Sequence, residues 1–162
     1  MTAKKIYIAS PFGFSESGRK FYYEQLIPLL VNKGFKVIDP WLLTPENEIK
    51  KIDNMDYGPE KKSAWAEMNM KIGEQNRAAI DSSDGMLAIL DGVDVDSGTA
   101  SEIGYAYGAG KLIVGYRSDF RLSSDNEGSK VNLQVEYFIR KSGGDIVTSI
   151  DNFDRILKLL ED

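Results

Sequence analysis

Residues 85–116, GMLAILDGVDVDSGTASEIGYAYGAGKLIVGY, decide the fold. The run 85–90 is apolar throughout and has the length of a strand, and so has 111–116. Neither alternates, which is the pattern of strands buried on both faces. Between them lie a polar loop, 91–98, and a small-residue helix expected over 99–109, ended by Gly110. A strand, a helix and a second buried strand in that order form one unit of a parallel sheet.

Working outward, the same alternation continues in both directions. Residues 5–10 (KIYIAS) read as a buried strand broken by Pro11 and Gly13. A helix is expected over 17–33, kinked at Pro28 and stopped by Gly34, followed by a strand at 35–38. Residues 41–59 read as irregular, the kind of long segment that serves as a lid. In the helix expected over 60–82, Trp65, Met68, Ile72, Asn76 and Ala79 share one face, so Asn76 is a polar residue on an apolar stripe. After a polar loop at 117–129, a helix over 130–141, a short strand near 145–148 and a final helix from Asp151 complete the chain. The expected fold is α/β: a flavodoxin-like, doubly wound, five-stranded parallel sheet with helices on both faces, in one domain spanning 1–162. Ligands in such sheets bind beyond the carboxyl ends of the strands, which places 9–14, 39–45, 91–99 and 116–129 around one crevice.

Composition limits the chemistry. The 162 residues include no cysteine and no histidine, which removes disulfides, thiolate nucleophiles, Cys/His zinc sites and imidazole bases. The net charge of −5 argues against a nucleic-acid partner or an anionic membrane surface. No apolar run has the length of a signal peptide core or a membrane span, so a cytoplasmic protein is expected. No dinucleotide fingerprint or phosphate-binding loop motif occurs. Catalysis, if present, falls to carboxylates, hydroxyls, amides or lysines.

The densest polar cluster in the crevice is Asp91 to Tyr105. Thr99 and Glu102 fit a capping box, which needs no catalysis, and the aspartates before them also suit a divalent cation. Tyr7, in the first strand, is a core residue or the hydroxyl partner of Glu102. Phe12, Phe14 and Trp41 either stack on a planar ligand or cover the core. Asn76 reads equally as a satisfied buried amide or a ligand contact. Arg117, Asp119 and Arg121 read as a solvated loop.

Three stretches together carry a resemblance. They are Ile6-Tyr-Ile-Ala-Ser-Pro-Phe-Gly-Phe-Ser15, then Asp94-Val-Asp-Ser-Gly-Thr-Ala-Ser-Glu-Ile-Gly-Tyr-Ala106 with Gly110-Lys, and then Asp119-Phe-Arg, Ser124-Asp-Asn-Glu127 and Asn132-Leu. In this order and spacing the chain resembles the nucleoside 2-deoxyribosyltransferase family. The resemblance implies a transfer of 2-deoxyribose between nucleobases, with no cofactor and no metal. It implies that Glu102 attacks the anomeric carbon and that Tyr7 positions its carboxylate. It places Asp96 on the sugar hydroxyls and Asn76 on the base. Ser10 and Phe12, in the first crevice loop, are also expected among the substrate contacts. Asn132 would reach the site of a neighbouring subunit in a homo-oligomer. Two positions depart from the family: Asn76 stands where some members have an aspartate, and Gln134 where several carry methionine. An amide hydrogen-bonds a base but cannot protonate it. The rival readings are an N-glycoside hydrolase of nucleosides or nucleoside 5′-monophosphates, and a non-catalytic nucleotide-binding module. The lack of any arginine before Arg19 in the first loop favours a nucleoside over a nucleotide.

Overall fold

The computed structural model describes residues 3–161. Five strands, β1 (Lys5–Ala9), β2 (Lys36–Ile38), β3 (Gly85–Ile89), β4 (Leu112–Tyr116) and β5 (Ile146–Val147), form one sheet in the order β2-β1-β3-β4-β5. Every pairing is parallel; Tyr7 stands opposite Met86 and Met86 opposite Ile113. This order is that of the flavodoxin-like doubly wound sheet, with its switch point between β1 and β3.

Strand side chains alternate between two cores. Ile6, Ile8, Leu87, Ile89 and Val114 pack with Tyr22, Leu26 and Leu30, and with the last helix α7 (Phe153–Glu161) through Phe153, Ile156, Leu157 and Leu160. Tyr7, Ala9, Met86, Ala88 and Ile113 face the other way. There they meet α4 (Pro59–Ser82), α5 (Ser97–Gly108) and α6 (Leu133–Lys141) through Ala79, Ile80, Ile103, Ala106, Val135 and Ile139. The one-residue offset that separates Tyr7 from Ile6 and Ile8 therefore puts the phenol on the face of α5, the helix that carries Glu102.

The helix expected over 17–33 is a continuous helical run from Glu16 to Asn32 in three parts: α1 (Glu16–Phe21), a π-turn (Tyr22–Leu26) and α2 (Ile27–Asn32). Pro28 has no N–H for the regular ladder, and the wider turn just before it takes up the mismatch. Gly34, at φ 89°, supplies the left-handed stop after Lys33.

The irregular reading of 41–59 is corrected. A 3₁₀ turn occupies Pro40–Leu42, and α3 (Glu46–Asp53) follows, with Glu46 and Glu48 in its first turn and Lys50 and Lys51 in its last. That charge order suits the helix dipole. Thr44 donates to Gln75 Oε1 at 2.6 Å, and Lys71 pairs with Glu48, so the segment is tied to α4.

Arg117 is also corrected: it is 3% exposed. Its guanidinium donates to the carbonyls of Leu90, Gly92 and Arg121, joining the loops that follow β3 and β4. Among the described residues no helix is long and apolar enough to cross a membrane.

Candidate active site

The crevice at the carboxyl ends of the strands holds a cavity of about 380 Å³ lined by Ser10, Phe14, Trp41, Asn76, Asp96 and Glu102, together with Pro40, Asn69, Ile72, Gly98 and Thr99. At its wall Glu102, on α5, accepts from a residue 95 positions away that lies behind it: the phenol of Tyr7, on β1, donates to Glu102 Oε1 at 2.7 Å. Asn76 Nδ2, on α4, gives the same oxygen a longer bond of 3.4 Å. Both donors converge on Oε1, and among the described residues none donates to Oε2.

Burial is the main reason that the Glu102 carboxyl rises from its ordinary 4.5 to about 7; the Tyr7 hydrogen bond opposes the rise and the nearby Asp96 charge adds to it. Burial, and then the negative charges of Glu102 and Asp39, hold the Tyr7 phenol well above its ordinary value. Tyr7 therefore stays a hydrogen-bond donor at any working pH, while Glu102 titrates near neutrality.

The capping-box reading of Thr99 and Glu102 is corrected. The helix starts two residues earlier, at Ser97, and its N-cap is Asp96, whose Oδ2 accepts from Thr99 N at 2.9 Å and Thr99 Oγ1 at 3.3 Å. Glu102 thus lies past the first turn and is free to face Tyr7. Asp96 caps with one oxygen and lines the cavity as well. The other aspartates of this loop diverge. Asp91 accepts from the N–H groups of Ser118 and Asp119, and Asp94 from its neighbour Val95 N. Among the described residues no three His, Cys, Asp or Glu form a group able to hold a metal ion.

Ser10 is buried at the cavity wall, where its Oγ accepts from Phe12 N at 3.1 Å. Phe12 is not in the cavity: it packs on the opposite core, with its ring edge-on to Phe21 at 5.6 Å. The 3₁₀ turn over Pro11–Phe14 explains this, because three residues per turn send Phe12 and Phe14 in different directions. Phe14 takes the place at the wall, edge-on to Trp41 at 4.8 Å. Asn132 also lies outside the cavity, as N-cap of α6, accepting from Gln134 N at 3.0 Å. Asn69 is a lining residue that the sequence reading missed. It sits seven positions before Asn76, two turns along the same face of α4, and that spacing was the available signal.

Comparison with known proteins bears on the family and the fold. The family model for nucleoside 2-deoxyribosyltransferase matches residues 6–134. A conserved protein from Enterococcus faecalis V583 superposes with a TM-score of 0.67 at 25% identity, covering 97% of this chain and 98% of that one. A 2-deoxyribosyltransferase from Bacillus psychrosaccharolyticus gives 0.61 at 22% identity, covering 92% and 89%. A CMP N-glycosidase from Clostridium botulinum gives 0.53 at 22%, covering 96% and 98%. The last two share the fold. An uncharacterized protein of Schizosaccharomyces pombe is 38% identical over 69 residues, a stretch that takes in 40% of this chain and 33% of that protein.

Proposed function

The chain belongs to the nucleoside 2-deoxyribosyltransferase family, and on that premise we propose that it moves a 2-deoxyribosyl group from one nucleobase to another, with Glu102 as nucleophile. The observation that carries the reading is the Tyr7–Glu102 contact, in which one carboxylate oxygen is held and the other is left for the substrate. Cleavage of an N-glycosidic bond builds positive charge on the sugar, and a carboxylate beside the anomeric carbon stabilises it. Oε2 then bonds to that carbon as the carbon–nitrogen bond breaks, and the bonding pair leaves on the base. Asn76 has no transferable proton, so the departing base takes its proton from solvent. A second base enters the same slot, attacks the anomeric carbon with its ring nitrogen and gives up its N–H proton to solvent. The glutamate ester breaks, the carboxylate is restored, and two inversions give retention. Asp96 engages the sugar hydroxyls, Asn76 and Ser10 line the slot, and Asn132 reaches a neighbouring copy in a homo-oligomer. No residue lining the cavity is Lys or Arg, which favours a nucleoside over a 5′-phosphate.

Hydrolysis is the second reading, favoured by one observation. Glu102, Asn76 and Gly98 also line a shallower groove of about 280 Å³ between α4 and α5, a second path for water to the carboxylate. Incubation with a 2′-deoxynucleoside, with and without a second base, separates the two. A new nucleoside supports transfer, free deoxyribose alone supports hydrolysis, and an unchanged nucleoside overturns both.

A further inference from the structure

We propose that Asp39 is a positioning residue that holds Trp41 as the stacking wall for the base; the proposal rests on the function read above and extends it to base binding. Asp39 directly follows β2 and is 8% exposed. Its Oδ1 accepts from Trp41 N and from Tyr22 Oη, each at 3.0 Å, and its Oδ2 from Tyr23 Oη at 3.1 Å. Capping the Pro40–Leu42 turn takes only one of these bonds. The two phenols go beyond a cap, and they come from consecutive residues.

Successive side chains on a regular helix point about 100° apart, so neighbours seldom meet one acceptor. Tyr22 and Tyr23 do so at the start of the π-turn, with rings edge-on at 5.0 Å. The π-turn that accommodates Pro28 widens the helix here, and it brings both phenols to one carboxylate. Burying a carboxylate on neutral donors alone is also costly in a fold that needs only stability. Among the described residues no Lys or Arg bonds to Asp39. The buried carboxylate and its three neutral donors thus serve one end, the fixed position of residues 39–41.

That segment forms the cavity wall through Pro40 and Trp41. The Trp41 indole lies against Gly13, where a Cβ would stand 2.1 Å from the ring. Phe14 meets it edge-on at 4.8 Å, and the residue stays 37% exposed. A flat ring fixed by Gly13, by Phe14 and by its own backbone N–H is preorganised to stack on a planar base. Asp39 controls the last of these constraints and touches no substrate. Its loss is therefore expected in binding more than in the chemical step.

The test uses Trp65→Phe, which leaves Trp41 as the only one of the two tryptophans, combined with Glu102→Gln to stop turnover. Thymidine and 2′-deoxyadenosine are titrated while Trp41 emission is read. Adding Asp39→Ala should shift that emission to the red without ligand and weaken binding at least about tenfold, whereas Asp39→Asn, which keeps an acceptor for Trp41 N–H, should stay within about threefold. With Glu102 present, Asp39→Ala should raise KM for the nucleoside by a similar factor and change kcat by less than about threefold. Folded Asp39→Ala with parental emission and affinity overturns the proposal, as does a fall in kcat at unchanged KM. If Asp39→Ala does not fold, Tyr23→Phe decides, because its ring is 39% exposed and its loss empties no core. It should weaken binding about two- to threefold, and parental affinity and emission overturn the proposal. A parent that binds neither nucleoside and exchanges no base sinks the functional reading together with this one. A parent that binds while Asp39→Ala matches it sinks the clamp alone.

Discussion

Glu102 on α5 and Glu136 on α6 are the same residue type on neighbouring helices, and the fold uses them in opposite ways. Glu136 is 6% exposed and has both oxygens taken: Oε2 accepts from Lys130 N and Oε1 from Arg140 Nε, each at 2.6 Å. Arg140 reaches on to Asp145, so Glu136 is part of a network that fixes the approach to β5. Among the described residues Glu102 pairs with no cation; one of its oxygens accepts from Tyr7 and Asn76, and the other is left over. A buried carboxylate with both oxygens satisfied stabilises a structure. Glu102, half-buried at a cavity wall with one oxygen unused and its carboxyl pushed up to about 7, lacks that satisfaction, and this is the arrangement expected of a ligand-binding carboxylate.

The largest effect that sharpens this contrast is in Glu102→Gln. Base exchange should fall by at least about three orders of magnitude, because an amide forms no glycosyl ester. The folded protein should also gain stability above neutrality. The carboxyl has a higher pKa folded than unfolded, so its contribution is present in full below about 4.5 and is lost as the pH rises through about 7. Melting curves of the two proteins should coincide near pH 4 and separate by up to roughly 3 kcal/mol at pH 8, with the variant the more stable. Equal stability at pH 8 would argue against a half-buried, desolvated carboxylate.

Tyr7→Phe comes next. It removes a donor to the ionised carboxylate, and exchange should fall about tenfold to a hundredfold. In the parent, activity should rise with pH about a midpoint near 7 as Glu102 ionises. The Tyr7 hydrogen bond lowers the Glu102 pKa, so the midpoint of Tyr7→Phe should move to higher pH. An unmoved midpoint would detach Tyr7 from the titrating group.

Glu136→Gln should do the reverse: stability falls by about 1–3 kcal/mol, since a buried charged network loses one bond, while KM and kcat below the melting temperature stay parental. Denaturant unfolding beside steady-state kinetics checks both halves. The smallest effect is expected at Phe12. Phe12→Leu should cost about 1 kcal/mol and leave KM unchanged, since the ring packs on Phe21 and not in the cavity. A raised KM would return Phe12 to the substrate contacts.

The difference between Phe12 and Phe14 shows where sequence reading stops. The sheet, its parallel sense and the crevice follow from apolar run lengths and glycine stops, because those depend on period and burial alone. Tyr7 and Glu102 were legible as partners: strand alternation sets the face of Tyr7, and the resemblance names the pair. Whether residue 12 or residue 14 turns into the crevice depends on a 3₁₀ turn, which the segment's composition does not announce. Asp39 looked like an ordinary strand end before a proline, since its partners lie on a π-turn 16 and 17 residues away. Arg117 looked solvated because charged residues usually are, and only tertiary structure brings three carbonyls to it. The helix Glu46–Asp53 was hidden between Pro45 and Gly58, which read as loop residues although Pro45 stands at a helix N-cap.

The central claim is that Glu102 bonds to the sugar. It is met most directly by mixing the protein with a 2′-deoxynucleoside, quenching within a turnover and mapping the peptides by mass spectrometry. The account predicts one deoxyribosyl group on the peptide containing Glu102, absent from Glu102→Gln and removed when a second base is added before the quench. A deoxyribosyl group on Asp96 instead, or base exchange persisting in Glu102→Gln, would contradict it.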